Sequence, residues 1–291
     1  MKISIASGKG GTGKTTFAVN FSLFLNNKNK NKVVLVDLDV EEPDCHIFLN
    51  DNKFNIKECS RQIPKVNERC DLCGKCAEIC EFNAIAVTNK EVIIFPELCH
   101  SCFACIELCP KNAFDVENIK IGEIHWCNIT NNNFHFVEGK LRVGEVMAVP
   151  LMKQTKDFST EKFGEESYFI FDSPPGTSCP VIEATKDSDF VILVTEPTPF
   201  GLYDLKLAIE TMRELEKKFG VIINKSGIGN SKGSFGQELY NYCKNENIPI
   251  LDEIPYSREI AELYSRGKDI ITIPSINNIF RKIEKSITDL L

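Results

Sequence analysis

Ser7-Gly8-Lys9-Gly10-Gly11-Thr12-Gly13-Lys14-Thr15-Thr16 follows an alternating segment, Lys2 to Ser7, and opens a stretch to about Lys28 that spaces Phe17, Phe21, Phe24 and Leu25 as one helical face. The loop satisfies G-x-x-x-x-G-K-[ST], and it stands where that motif has meaning, between a strand and a helix. Its glycines, Gly8, Gly10, Gly11 and Gly13, let successive backbone N–H groups curl around phosphate oxygens, and the helix N-terminus adds partial positive charge. Thr12 and Thr16 complete the cradle. Lys14 is placed to bridge the β- and γ-phosphates of ATP, and the Thr15 hydroxyl to meet Mg²⁺.

Working outward, Val33-Val34-Leu35-Val36 is a continuous apolar run closed by Asp37, as expected of a strand buried on both faces. That completes one βαβ unit. The rhythm returns at Tyr168-Phe169-Ile170-Phe171-Asp172, with further strands at Phe190 to Thr195, Val221 to Asn224 and Ile250 to Ile254. Helices are expected over about Leu202 to Phe219, Ser234 to Asn245, Ser257 to Ser265 and Ile276 to Leu290. Between the two α/β parts, Ile124 to Lys153 reads as β-hairpin material, with Asn131-Asn132-Asn133 and Glu138-Gly139 as turn signals.

Composition narrows the function. With 43% apolar and 26% charged residues, the 291-residue chain can bury a substantial core. The net charge, 34 − 41 = −7, argues against a protein that coats nucleic acid. No run of 18 apolar residues is present, and Met1 to Ala6 leads straight into the loop without room for a secretory signal, so a cytoplasmic location is expected. The C-terminal amphipathic stretch mixes Lys282, Glu284, Lys285 and Asp289 on its polar face, without the basic bias of a membrane anchor.

Thirteen cysteines in such a chain argue for metal rather than disulfides. Eight of them form two runs, Cys70-x₂-Cys73-x₂-Cys76-x₃-Cys80 and Cys99-x₂-Cys102-x₂-Cys105-x₃-Cys109-Pro110. The runs are an internal repeat at a shift of 29 residues, in which Asn83-Ala84-Ile85 recurs as Asn112-Ala113-Phe114. Three-plus-one spacing suits a cubane, whereas tetrahedral zinc sites use two pairs of ligands. The segment resembles a bacterial two-cluster ferredoxin, differing at Glu81, where proline is usual. The resemblance implies two [4Fe-4S] clusters, each taking its fourth ligand from the other run: Cys70, Cys73, Cys76 and Cys109 for one, Cys99, Cys102, Cys105 and Cys80 for the other. The four histidines (46, 100, 125 and 135) are scattered, and ordinary structural or surface roles are expected of them.

Lys9, a second lysine inside the phosphate loop, makes Gly-Lys-Gly-Gly-Thr-Gly-Lys-Thr-Thr similar to the deviant Walker A loop of MinD/ParA-type ATPases, a group that includes the nitrogenase iron protein and Mrp-type iron–sulfur carriers. Asp37-Leu38-Asp39 resembles their switch I, Asp172-Ser173-Pro174-Pro175-Gly176 their switch II, and Asn224 their adenine-reading asparagine. The resemblance implies an ATP-bridged homodimer in which Lys9 reaches the partner's nucleotide. It gives Asp39, or second Asp44, the attacking water; Asp172 the Mg²⁺ through water; and Gly176 the γ-phosphate. Cys179, seven residues after Asp172, stands at the offset of a cluster ligand in the nitrogenase iron protein, with Cys127 as its candidate companion in a bridging cluster; a buried packing role is the plainer alternative.

The expected fold is therefore α/β: a mostly parallel-sheet P-loop NTPase of the deviant Walker A kind, residues 1–54 and 120–291, with an inserted α+β bacterial-type ferredoxin domain, residues 55–119. The expected function is ATP hydrolysis coupled to electron transfer toward an unidentified metalloprotein client. The alternative is an iron–sulfur or metallocofactor assembly ATPase, and a spatial-positioning ATPase has the least support.

Overall fold

The computed structural model describes residues 1–28, 32–49, 53–130, 133–228 and 234–291. The chain opens with β1 (Lys2–Ala6), α1 (Lys14–Lys28) and β2 (Val33–Asp37), the unit expected from the phosphate loop. A long strand, β3 (Asn55–Val66), leads into the cysteine segment, which contains α2 (Lys75–Ile79), β4 (Ile85–Val87), β5 (Val92–Ile94) and α3 (Ala104–Glu107). The chain returns through β6 (Phe114–Thr130) and β7 (Phe134–Leu141), then α4 (Ala148–Phe163). The α/β alternation resumes with β8 (Tyr168–Asp172), α5 (Cys179–Thr185), β9 (Phe190–Thr195), α6 (Pro199–Glu214) and β10 (Phe219–Ser226). It closes with α7 (Ser234–Asn245), β11 (Ile250–Pro255), α8 (Arg258–Ser265) and α9 (Pro274–Leu290).

The main sheet has nine strands in the order β11-β10-β9-β1-β8-β2-β7-β6-β3, parallel from β11 to β7 and antiparallel over β7-β6-β3. Successive residues of each central strand serve opposite faces. Ile3, Ile5, Val33, Leu35 and Ile170 pack toward α1 and α9, while Val34, Val36, Phe169 and Phe171 pack toward α4. Burial on both faces is why these strands read as unbroken apolar runs. Phe17, Phe21 and Phe24 of α1 meet Phe280 of α9, with Phe17 and Phe280 edge to face at 5.5 Å. Ile276, Phe280, Ile283 and Ile287 bury the apolar stripe of α9 in the core, so the C-terminal helix packs as expected.

The expectation of hairpin from Ile124 to Lys153 is corrected beyond Leu141, because Ala148–Phe163 is helical. Polar residues on its inner face hid the stripe: Thr155 and Ser159 are buried and return their hydroxyls to the carbonyls one turn back, and buried Lys156 meets Asp187 at 2.6 Å. The helix expected over Leu202 to Phe219 begins earlier, at Pro199, capped by the Thr198 hydroxyl, and ends at Glu214. Glu216 then takes a left-handed conformation (φ 52°) and Phe219 belongs to β10. Asn131 and Asn132 of the expected turn lie outside the described residues. No helix among the described residues is long and apolar enough to cross a membrane.

β3 and β6 pair continuously from Asn55↔Trp126 to Val66↔Phe114, whereas β7 accompanies β6 only from Thr130 back to Gly122. Ser60–Val66 and Phe114–Lys120 thus run on as a two-stranded ribbon with the cysteine segment at its tip. Residues 55–59, inside the expected insertion of residues 55–119, form the edge of the nine-stranded sheet, and the expected boundary at 119/120 lies within β6.

Candidate functional site

The phosphate loop connects β1 to α1 at the C-terminal ends of the parallel strands, the position at which open α/β sheets bind ligands. Its backbone is held from three sides. Asn224 Nδ2 donates to the Thr12 carbonyl at 2.7 Å, Lys225 Nζ donates to the Gly11 carbonyl at 2.9 Å, and the Gly176 N–H donates to the Ser7 carbonyl at 3.0 Å. Gly13 sits at φ 92°, and a Cβ there would lie 2.3 Å from Asn224 Nδ2. Gly8 packs on α6 so closely that a Cβ would lie 2.2 Å from the Asp204 carbonyl oxygen.

Lys9 does not point into open solvent. Its ammonium meets Glu196 Oε1 at 2.6 Å, and the other oxygen of Glu196 meets Lys225 at 3.3 Å. Burial alone would raise the Glu196 pKa, but the two lysines outweigh it and hold the carboxyl below its usual range.

β2 and β8 are paired in register so that Asp37 lies opposite Asp172. Both are fully buried, and their ligand atoms with Cys45 Sγ all lie within 4.8 Å of one another. Asp37 accepts three backbone N–H bonds, from Asp39, Asp44 and Cys45, and so shapes the whole segment after β2. The Cys45 thiol donates to Asp172 Oδ2, while Asp172 Oδ1 has no partner. Burial raises Asp172 to about 6 against the opposing effects of Thr15 and Lys14. Burial also raises Asp39 to about 6, opposed by Lys14. Asp37 and Cys45 are pushed well above their usual values by burial first and by the neighbouring carboxylates second, and burial lowers Lys14 despite Asp172, Asp39 and Asp37.

The structure therefore gathers Lys14, Thr15, Asp39 and Asp172 at one place. Asp44 is exposed and contributes its backbone N–H. Asp37 and Cys45 are not among the site residues expected from the sequence, although the position of Asp37 at the end of β2, matching Asp172 at the end of β8, is a readable signal. Two further buried hydroxyls beside the loop, Thr12 Oγ1 and Ser173 Oγ, also lack partners. Unpartnered polar atoms around a glycine cradle fit a bound phosphate and cation, which would satisfy them.

The cysteine segment is a pseudo-symmetric pair of turns. Left-handed backbone recurs at the 29-residue shift three times: Leu72 and Ser101, Gly74 and Phe103, Asn83 and Asn112. One hollow, about 360 Å³ counting space open to solvent, is lined by Cys70, Cys73, Cys76 and Cys109, with Cys105 at its back. The other, about 350 Å³, is lined by Cys80, Cys99, Cys102 and Cys105. The two crossing sulfurs are treated alike: the Ala84 N–H donates to Cys80 Sγ at 3.3 Å and the Ala113 N–H to Cys109 Sγ at 3.4 Å. Burial, then Cys99 and Cys102, pushes the Cys105 thiol up to about 11. Eight cysteines around two hollows of nearly equal size, with N–H donors on sulfur, fit iron–sulfur clusters in donor set and arrangement.

Arg61 of β3 ties the cysteine segment to the base of the ribbon. Its guanidinium is buried and donates to the Cys99 and Pro96 carbonyls, each at 2.6 Å, and Glu145 lies 3.6 Å from the nitrogen that meets Pro96. Cys179 is exposed at the start of α5, whereas Cys127 is buried in the core on the α1 side, where burial raises its thiol to about 11; the two are not brought into one cluster. Among the histidines, His46 and His125 both bond Glu138, His135 bonds Asn128 and His100 stacks on Phe82.

The family model of the CobQ/CobB/MinD/ParA nucleotide-binding domain matches residues 3–270. The chain belongs to this family. Its P-loop NTPase fold is of the MinD/ParA type, and the crystal structure of the Pyrococcus furiosus cell division ATPase MinD aligns with a TM-score of 0.57 at 19% identity, covering 100% of this chain and 99% of that one. An uncharacterized protein of Methanocaldococcus jannaschii is 32% identical over 288 residues, covering 93% of this chain and 98% of its own length. An iron–sulfur cluster carrier protein of Aquifex aeolicus is 29% identical over 133 residues, 42% of this chain and 36% of that protein.

Proposed function

We propose that this MinD/ParA-family protein is an ATP-hydrolysing iron–sulfur protein, in which nucleotide-dependent changes across a homodimer control electron transfer through two [4Fe-4S] clusters to a metalloprotein client. The observation that carries the proposal is the pair of hollows, each lined by three cysteines of one run and the crossing cysteine of the other, with Cys105 lining both. Complete four-cysteine ligation favours permanent clusters, and hence electron transfer, over a labile cargo. The clusters would supply one-electron storage at low potential.

In this proposal the chain's own residues do the following. Gly8, Gly10, Gly11, Thr12, Gly13 and Thr16 cradle the phosphates, while Lys14 neutralises the β/γ oxygens. Thr15 and Asp172 hold Mg²⁺, Asp172 through water. Asp39, beside Lys14, orients the attacking water, and Gly176 exchanges its bond to the Ser7 carbonyl for the γ-phosphate. Asn224 reads the base, and Lys9 leaves Glu196 to reach the partner's nucleotide, where it meets charge developing in the transition state. Anaerobic purification followed by iron analysis tests the carrying observation: close to eight irons per chain are expected, and a preparation holding only zinc would refute it. A second reading, a metallocofactor assembly ATPase, draws support from the similarity to an iron–sulfur cluster carrier protein; transfer of iron from this protein to an apo-acceptor would favour it.

A further inference from the structure

The buried trio at the end of β2 and β8 contains a donor that phosphate-loop chemistry does not call for. Cys45 is wholly buried, and its sulfur lies 3.5 Å from Asp172 Oδ2. Asp37 completes the set, aimed by the N–H groups of Asp39, Asp44 and Cys45. Asp172 Oδ1, on a residue only 1% exposed, has no partner at all.

We propose that Asp37, Cys45 and Asp172 form a site for one thiophilic divalent cation of the zinc class. Zinc bonds of about 2.3 Å to a thiolate and about 2.0 Å to a carboxylate oxygen, opened to the tetrahedral angle, set sulfur and oxygen about 3.5 Å apart. That is the separation observed between Cys45 and Asp172. Two buried carboxylates facing each other repel, and a dication between them removes the repulsion. Softness sets the metal class: a thiolate beside two carboxylates suits zinc or cadmium, whereas magnesium prefers an all-oxygen shell. Binding forms a metal–sulfur bond, and the Cys45 thiol proton leaves to solvent. Three protein donors leave a fourth position open. The site goes beyond the function proposed above but shares Asp172 with it, so its occupant competes with the nucleotide's cation.

The test uses the cluster-bearing protein, prepared without oxygen and free of nucleotide. It is titrated with ¹¹³Cd²⁺ and followed by cadmium NMR, in which the shift reports the number of thiolate ligands. A one-thiolate signal at one cadmium per chain is expected, absent in Cys45→Ser and Asp37→Asn and retained in Cys179→Ser. Outer-shell partners alone are worth 10–100-fold in metal affinity, so loss of the thiolate should weaken cadmium binding by more than about 100-fold. Wild-type protein without a one-thiolate signal would overturn the proposal, as would a folded Cys45→Ser protein that keeps it. Four-thiolate cadmium signals would instead count against the cluster assignment and leave this site untouched.

Discussion

Replacing Arg61 with leucine isolates the anchoring of the cysteine segment on the base of the β3–β6 ribbon. The guanidinium donates to the carbonyls of Cys99 and Pro96, both at 2.6 Å, in a buried setting. Hydrogen bonds from charged groups contribute about 1.5–3 kcal/mol each, so the two lost bonds cost about 4 kcal/mol. The Glu145 contact adds little to that figure, because at 3.6 Å it is longer than a hydrogen bond and Arg142 remains 3.8 Å away. Against a typical domain stability of 5–15 kcal/mol, Arg61→Leu still folds at low temperature but loses a large part of its margin. Urea unfolding followed by far-ultraviolet circular dichroism measures the loss. Arg61→Lys provides the internal control: one ammonium can satisfy one carbonyl but cannot span both, and about half the loss, ~2 kcal/mol, should return. A loss below about 1 kcal/mol for Arg61→Leu, or equal losses for both variants, would refute the argument.

Lys14→Ala should abolish ATP binding, while Lys9→Ala should bind ATP in an equilibrium assay yet hydrolyse it at least about 100-fold more slowly. Because the Lys9–Glu196 pair is partly exposed, its removal should change unfolding stability by less than about 1 kcal/mol. Gly8→Ala forces a Cβ to within 2.2 Å of the Asp204 backbone oxygen, so α6 must move; a loss of about 1–3 kcal/mol and weakened nucleotide binding are expected from denaturation and calorimetry. Iodoacetamide at pH 8 should modify exposed Cys179 of the native protein but spare Cys127 and Cys243, both raised to about 11 by burial, as peptide mass spectrometry would reveal.

What could be read from the sequence followed from how local each signal is. The phosphate loop and the cysteine runs are contiguous, and the chemistry they serve fixes their spacing, so Gly8 to Thr16 and Cys70 to Cys109 could be singled out directly. The buried trio could not, because Asp172 meets Asp37 and Cys45 only through strand register and a hydrogen bond across 127 residues. The same holds for Arg61, one basic residue on a strand whose partners, Pro96 and Cys99, lie more than thirty residues on. Helix α4 escaped for a different reason. Its inner face mixes Leu151, Met152 and Phe163 with buried Thr155, Lys156 and Ser159, whose polar groups bond the helix itself or Asp187, so its apolar stripe is interrupted.

The ribbon of β3 and β6 is also a lever. Seven residues of β3, Ser60 to Val66, extend past the last pairing of β6 with β7, and at about 3.3 Å per residue they make an arm of about 23 Å. A tilt of about 5° where the ribbon leaves the sheet would sweep its Val66 end through about 2 Å, and the Cys99 hollow, gripped by Arg61 near the base, through less. The fulcrum lies beside β7, which pairs with β2 and sets Glu138 opposite Asp37, so the arm leaves the sheet beside the neighbour of the strand that ends in Asp37. Because β7 runs parallel to β2 and the ribbon continues past Leu141, the arm projects from the phosphate-loop end of the sheet, and small adjustments there would be felt, enlarged, at its tip.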